Sequence, residues 1–207
     1  MLDLRSRIAA QARFPEALEQ AGHAQYLQPE QQLVARYAWF YYLARRYDEA
    51  IAKARHQIEL ATTKTSETNP TQPDTFWAFR TLTLALQEKG DPAALDAARG
   101  EAHWLGDPEP ASLHDFWATK ERHFAQIGPN KPWFAVVPAI ELGETERALD
   151  LLEKICRDRS DPMIAFLRVD PLYDGLRSQP RFQELLRCAR LVDAAPEAVA
   201  QIPQTAK

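Results

Sequence analysis

Between Gln32 and Leu60 the apolar residues return every three or four positions, pause at a short polar break, and resume with the same spacing. Val34, Tyr37, Ala38 and Tyr41 stand at i, i+3, i+4 and i+7, which sets them on one face of a helix. Arg45-Arg46-Tyr47-Asp48 interrupts the pattern, and Glu49-Ala50-Ile51 restarts it through Ala54 and Ile58. Alanine at 38 and 50 allows two helices to approach to interaxial distances of about 8–10 Å. The segment is therefore expected to be a helical hairpin. Two more stretches follow the same plan. Phe76 to Leu105 has Phe79, Leu82 and Leu86 as its stripe and Lys89-Gly90-Asp91-Pro92 as its turn; Trp133 to Arg159 turns at Leu142-Gly143-Glu144 and opens its second helix on Ala148. The expected fold class is all-α, built from antiparallel helix pairs.

Helix boundaries fit this scheme. Asp91 can cap a helix with Pro92 at its first position, where the missing N–H is not needed. Ser112 precedes Leu113, and Ser178 precedes the start at Pro180. Pro138 lies inside the helix expected from Pro132 to Leu142 and should kink or shorten it. Thr62 to Pro73, rich in Thr, Ser, Asn and Pro, reads as a loop. The interval Gly106 to Asn130 exceeds a connection and holds its own helical pattern, Leu113 to Ile127.

The run Ala38-Trp39-Phe40-Tyr41-Tyr42-Leu43-Ala44-Arg45-Arg46-Tyr47-Asp48-Glu49-Ala50-Ile51 resembles a tetratricopeptide repeat, with Ala38, Tyr41, Tyr47 and Ala50 at signature positions. Phe14-Pro15-Glu16-Ala17-Leu18, with Ala21, Ala24 and Pro29, resembles the second helix and closing proline of a preceding repeat. Ala17 and Ala50 are 33 residues apart, one short of the usual period. Thr62 stands where a repeat usually closes on proline, and Gln57 where a small residue is usual. Asp170-Pro171-Leu172-Tyr173, then Leu176 through Leu186, is similar to a closing segment of a bacterial group whose repeats follow a winged-helix or nucleotide-cyclase domain. The resemblance implies a right-handed superhelix of antiparallel pairs at about residues 2–28, 32–61, 75–105 and 131–159. An extra helix at about 112–127, closing helices at 161–191 and a flexible tail at 192–207 complete the expected domain.

Composition narrows the function. The chain has 207 residues, a formal net charge of -4 and interspersed acidic and basic residues, which argues against a nucleic-acid surface. No apolar run reaches the 18 or so residues of a membrane span, and no secretory signal opens the chain, so a cytoplasmic protein is expected. Cys156 and Cys188 lie in helical patterns without metal-ligand spacing and read as buried thiols in a reducing compartment, with a disulfide as the lesser alternative.

Motifs for chemistry are scarce. His23, His56, His103, His114 and His123 include no pair at i, i+4, so no helical zinc site is encoded; His103, His114 and His123 read as solvated helix positions. There is no phosphate-binding glycine loop, no Gly-x-Ser-x-Gly and no cysteine with a catalytic histidine nearby. Neither an enzyme nor a cofactor is expected.

The aromatic residues carry more. Arg36, Trp39, Tyr42 and Leu43 project from a face other than that of Tyr37 and Tyr41. If the tetratricopeptide register holds, that face lines a concave groove, joined by Trp77, Arg80 and Leu84 and by Trp133, Phe134 and Val137. Trp, Tyr and Arg are the residues in which binding energy concentrates. The leading expectation is thus a protein–protein interaction module, or scaffold, that receives a partner peptide or helix. The C-terminal resemblance implies a second reading, the sensory or regulatory segment of a bacterial signalling or transcription regulator. A small-molecule site would be a third. The first helix, with Leu2, Leu4 and Ile8 apolar, lacks a capping repeat before it, so a longer parent protein or a homo-oligomer through that helix is expected.

Overall fold

Helix after helix in this chain stops in the same way, and the stops explain the architecture. The computed structural model describes residues 9–27, 34–63, 73–127 and 132–191. Within them run α1 (Phe14–Leu27), α2 (Val34–Leu43), α3 (Tyr47–Thr63), α4 (Pro73–Glu88), α5 (Ala93–Leu105), α6 (Leu113–Ile127), α7 (Pro132–Glu141), α8 (Thr145–Asp158) and α9 (Pro180–Cys188). Two 3-10 turns, Pro162–Phe166 and Pro171–Leu176, separate α8 from α9, and no strand occurs among the described residues. The protein is all-α there.

A residue of left-handed backbone follows six of these helices: Arg45 (φ 58°), Gly90 (64°), Gly106 (74°), Gly143 (77°), Arg159 (47°) and Arg190 (58°). The next N–H then reaches back five residues, Arg46 to Tyr41, Asp91 to Leu86, Asp107 to Ala102, Glu144 to Ala139, Ser160 to Ile155 and Leu191 to Leu186, at 2.8–3.3 Å. This double stop satisfies carbonyls that a helix end leaves orphaned and reverses the chain within two or three residues. Glycine adopts the conformation without cost; arginine must be held in it. After three of the stops an alanine faces the preceding helix: Ala50 (0% exposed), Ala94 (2%) and Ala148 (0%). The hairpins α2–α3, α4–α5 and α7–α8 result, each helix packing on its successor.

The chain divides into two compact units, Phe14–Phe116 and Met1–Arg13 with Trp117–Lys207, and the boundary falls within α6. In the first unit α2 packs on α1, α3 and α4, and α4 also packs on α3 and α5. Tyr42, Phe40, Phe116, Leu43 and Leu86 are its largest sealed apolar side chains among the described residues. Gly100 on α5 favours the close approach to α4, since a Cβ there would lie 3.1 Å from Cε1 of Phe79 and the ring would have to give by a few tenths of an ångström. In the second unit α8 lies between α7 and α9. Trp133, Leu149, Leu152, Phe166, Tyr173 and Phe182 are all at most 1% exposed and form its centre.

Two elements differ in detail from the sequence reading. α7 runs through Pro138 to Glu141, so the proline expected to kink or shorten the helix does not end it. The closing segment, expected as helices over 161–191, is two 3-10 turns followed by one short α-helix. Each turn begins Asp-Pro: the carboxylates of Asp161 and Asp170 accept from the N–H of Met163 (2.9 Å) and Leu172 (3.0 Å), the geometry of a cap with proline at the first position. The expected Leu2–Ile8 helix, much of the Thr62–Pro73 loop and the tail at 192–207 lie outside the described residues.

Candidate functional site

The expected groove residues do not form an open surface. Trp39 (8% exposed), Tyr42 (1%), Leu43 (2%), Arg80 (7%), Leu84 (6%), Trp133 (1%) and Val137 (1%) are buried within their units. Only Trp77 and Phe134 are half-buried, and the Arg36 side chain lies outside the described residues. The correction has a physical cause. α2 reads Val-Ala-Arg-Tyr-Ala-Trp-Phe-Tyr-Tyr-Leu and is apolar nearly all round, the mark of an enclosed helix. Three neighbouring helices take up its faces. α4 is similarly surrounded, and every residue from Ala78 to Leu86 is buried.

What stays accessible in the first unit is an edge of aromatic rings on a fixed support. The Trp77 indole lies 5.9 Å from that of Trp39, at 47°, and 6.1 Å from the Phe76 ring, at 75°. The buried Arg80 guanidinium sits 5.1 Å from the Trp77 ring centre, a cation–π contact from beneath. The half-buried Phe76 and Trp77 therefore present their rings from a base that cannot easily reorganise. Near the α2–α3 turn, Arg46 lies 4.8 Å from the half-buried Tyr41 ring. In the second unit Phe134 packs 5.2 Å from Phe124, whereas Trp133 is sealed against Tyr173 (5.9 Å).

The two cysteines were misread. Cys156, the third residue from the end of α8, and Cys188, the last of α9, are joined in a disulfide with Cα atoms 6.4 Å apart. Cys156 is buried (7% exposed) but Cys188 is exposed. They border a cleft of about 440 Å³ lined also by Ile155, Arg159, Asp161, Pro162, Ile164, Ala189 and Arg190. No spacing rule pairs cysteines 32 residues apart on two separate helices, so spacing alone does not predict this bond.

A second link binds α9 to α8. Arg181 donates from Nε to Glu153 (2.8 Å), from Nη1 to Glu146 (2.6 Å) and from Nη2 to Asp150 (2.6 Å). The three carboxylates stand at i, i+4 and i+7 on α8, so one guanidinium spans two turns of helix. Its hydrogen bonds to Glu153 first, and then to Asp150, raise the arginine pKa above its usual range. Arg177 ties the 3-10 turns together, donating to the carbonyls of Arg168 (2.7 Å) and Asp170 (3.0 Å) and to the Asp174 carboxylate (2.7 Å). Burial, with Arg177 nearby, lowers the Arg168 pKa.

Among the described residues no group of three or more His, Cys, Asp or Glu is placed to hold a metal ion. No described helix is long and apolar enough to cross a membrane. Comparison with protein-family models, with curated proteins and with solved structures gives no significant match.

Proposed function

We propose that this chain is a protein–protein interaction module made of tetratricopeptide-type helix pairs, and that Trp77 is the anchor of its contact surface. The partner is a peptide or helix with an apolar side chain to lay on the indole. The α2–α3, α4–α5 and α7–α8 hairpins, with alanines at their close approaches, support the repeat reading. The carrying observation is the half-buried Trp77 ring fixed between Trp39 and the Arg80 guanidinium. A tryptophan already immobilised by its own fold loses little further entropy on binding, which favours an anchor role. The cytoplasm is the proposed location; there a disulfide is usually transient or redox-sensing.

The test is retention of a partner from native extract by the wild-type chain, by Trp77→Ala and by an exposed control in the other unit, Glu184→Ala. An anchor is expected to lose about 2 kcal/mol or more of binding, roughly thirtyfold in Kd, on truncation. The melting temperature should stay close to that of the control. A partner held equally by all three chains would remove Trp77 from the surface.

A further inference from the structure

We propose that the Cys156–Cys188 bond is an exchangeable disulfide, and that the cleft beside it receives a small thiol bearing carboxylates. Three observations meet there. The first is access: Cys188 is exposed while Cys156 is 7% exposed, so an incoming sulfur meets Cys188. The second is space, about 440 Å³, within the range that takes a compact ligand. The third is charge. Arg159 and Arg190 both line the cleft, and neither guanidinium has a hydrogen-bond or ion-pair partner among the described residues. In the same unit Arg147, Arg177 and Arg181 are all engaged. The carboxylate in the cleft, Asp161, accepts from the N–H of Met163. Arg157 and Arg187 adjoin the two cysteines in sequence and add positive charge, against Asp158.

The cations act twice. They concentrate an anionic thiol, and they favour the thiolate form of both the attacking and the leaving sulfur. The incoming thiolate attacks Sγ of Cys188, a new S–S bond forms, and the bond to Cys156 breaks. Cys156 leaves as a thiolate and takes up the proton that the incoming thiol gave to solvent. A second thiol then attacks the incoming sulfur of the mixed disulfide. It releases the small symmetrical disulfide, and Cys188 is protonated to its thiol. Two small thiols are oxidised to one disulfide while the protein bond gains two electrons. Phe182 (0% exposed), Leu185 (2%) and the Arg181 contacts still dock α9 on reduction, so the sulfurs stay close enough to rejoin.

The full chain is exposed, at matched thiolate concentration and low salt, to reduced glutathione (anionic), 2-mercaptoethanol (neutral) or cysteamine (cationic). Acid-quenched samples are mapped by mass spectrometry. Glutathione should exceed cysteamine in rate by roughly tenfold or more, an advantage that shrinks in high salt, and the adduct should sit on Cys188. Arg159→Gln with Arg190→Gln should bring the three thiols within about twofold of one another; Arg159→Lys with Arg190→Lys should keep the order. Equal rates in the wild type, an order that survives the glutamine pair, adducts on Cys156, or exchange no faster than global unfolding would each overturn the proposal.

Discussion

Reduction of the Cys156–Cys188 bond should lower stability by an amount set mainly by the loop it closes. The cysteines are 32 residues apart, so the oxidised unfolded chain is barred from all conformations in which that loop is open. The chain-entropy relation, 2.1 + 1.5R ln n, gives about 12 cal/mol/K for a loop of this length, or about 3.7 kcal/mol at 25 °C. The folded state should change much less. Reduction keeps both sulfurs in place, and α9 stays attached through Phe182, Leu185 and Arg181. The assay is urea unfolding of oxidised chain and of chain held in a phosphine reductant, with amide exchange followed in peptides from 162–191 and from 34–63. With a slope of about 2 kcal/mol/M, the midpoint for the second unit should fall by nearly 2 M. Peptides of 34–63, in the other unit, should exchange as before. An unchanged midpoint would refute the reasoning, because it would mean that the unfolded chain is already confined by something other than the bond. Loss of protection in 162–191 without denaturant would refute it differently, by showing that the bond, not packing, docks α9.

Four further outcomes follow from burial and geometry. Trp39→Ala should cost about 3–5 kcal/mol in a urea titration, since the ring is 8% exposed and core-packed; a change under about 1 kcal/mol would place Trp39 on the surface after all. Gly100→Val should cost about 1–3 kcal/mol, because the first added carbon already meets the Phe79 ring at 3.1 Å; a neutral result would mean α5 can back away from α4. Thr83 is 0% exposed and its Oγ1 has no hydrogen-bond partner among the described residues, so the isosteric Thr83→Val should raise stability by about 1 kcal/mol in thermal or urea unfolding. Arg181→Gln should lower the melting temperature at low ionic strength and less so near 1 M salt, as three clustered carboxylates lose their shared cation; a loss independent of salt would assign Arg181 a packing role instead.

The helices were largely legible, and the reason is local. Spacing of three and four brings Phe79, Leu82 and Leu86 onto one stripe wherever the helix is placed. Gly90 and Gly143 mark their stops because only glycine takes left-handed backbone freely. Arg45, Arg159 and Arg190 occupy the same conformation with no such mark, so those stops were located by the break in periodicity or not at all. The short 3-10 turns were hidden for a related reason. Their anchors, Asp161 and Asp170, act over two residues, while the fork that binds them together, Arg177, reaches seven to nine residues back.

The candidate site was legible only in part, with Trp77 among the expected groove residues, because periodicity reports which residues share a face and says nothing of how many faces are covered. Trp39 and Tyr42 were assigned to an outer face because Tyr37 and Tyr41 occupied the inner one. That inference holds for a helix with one neighbour. α2 has three, so Trp39 became a support and the accessible, half-buried ring is Trp77 on α4. The evidence for this lay in the helix itself: ten residues with a single charge, Arg36, leave no face suited to solvent. The same argument accounts for Cys188. On α9, Phe182 and Leu185 face the core, three residues apart, whereas Cys188 continues that spacing into the open end of the helix. A cysteine that extends a core stripe past the last core residue is well placed to meet a second helix at its rim, and Cys156 on α8 is what it meets.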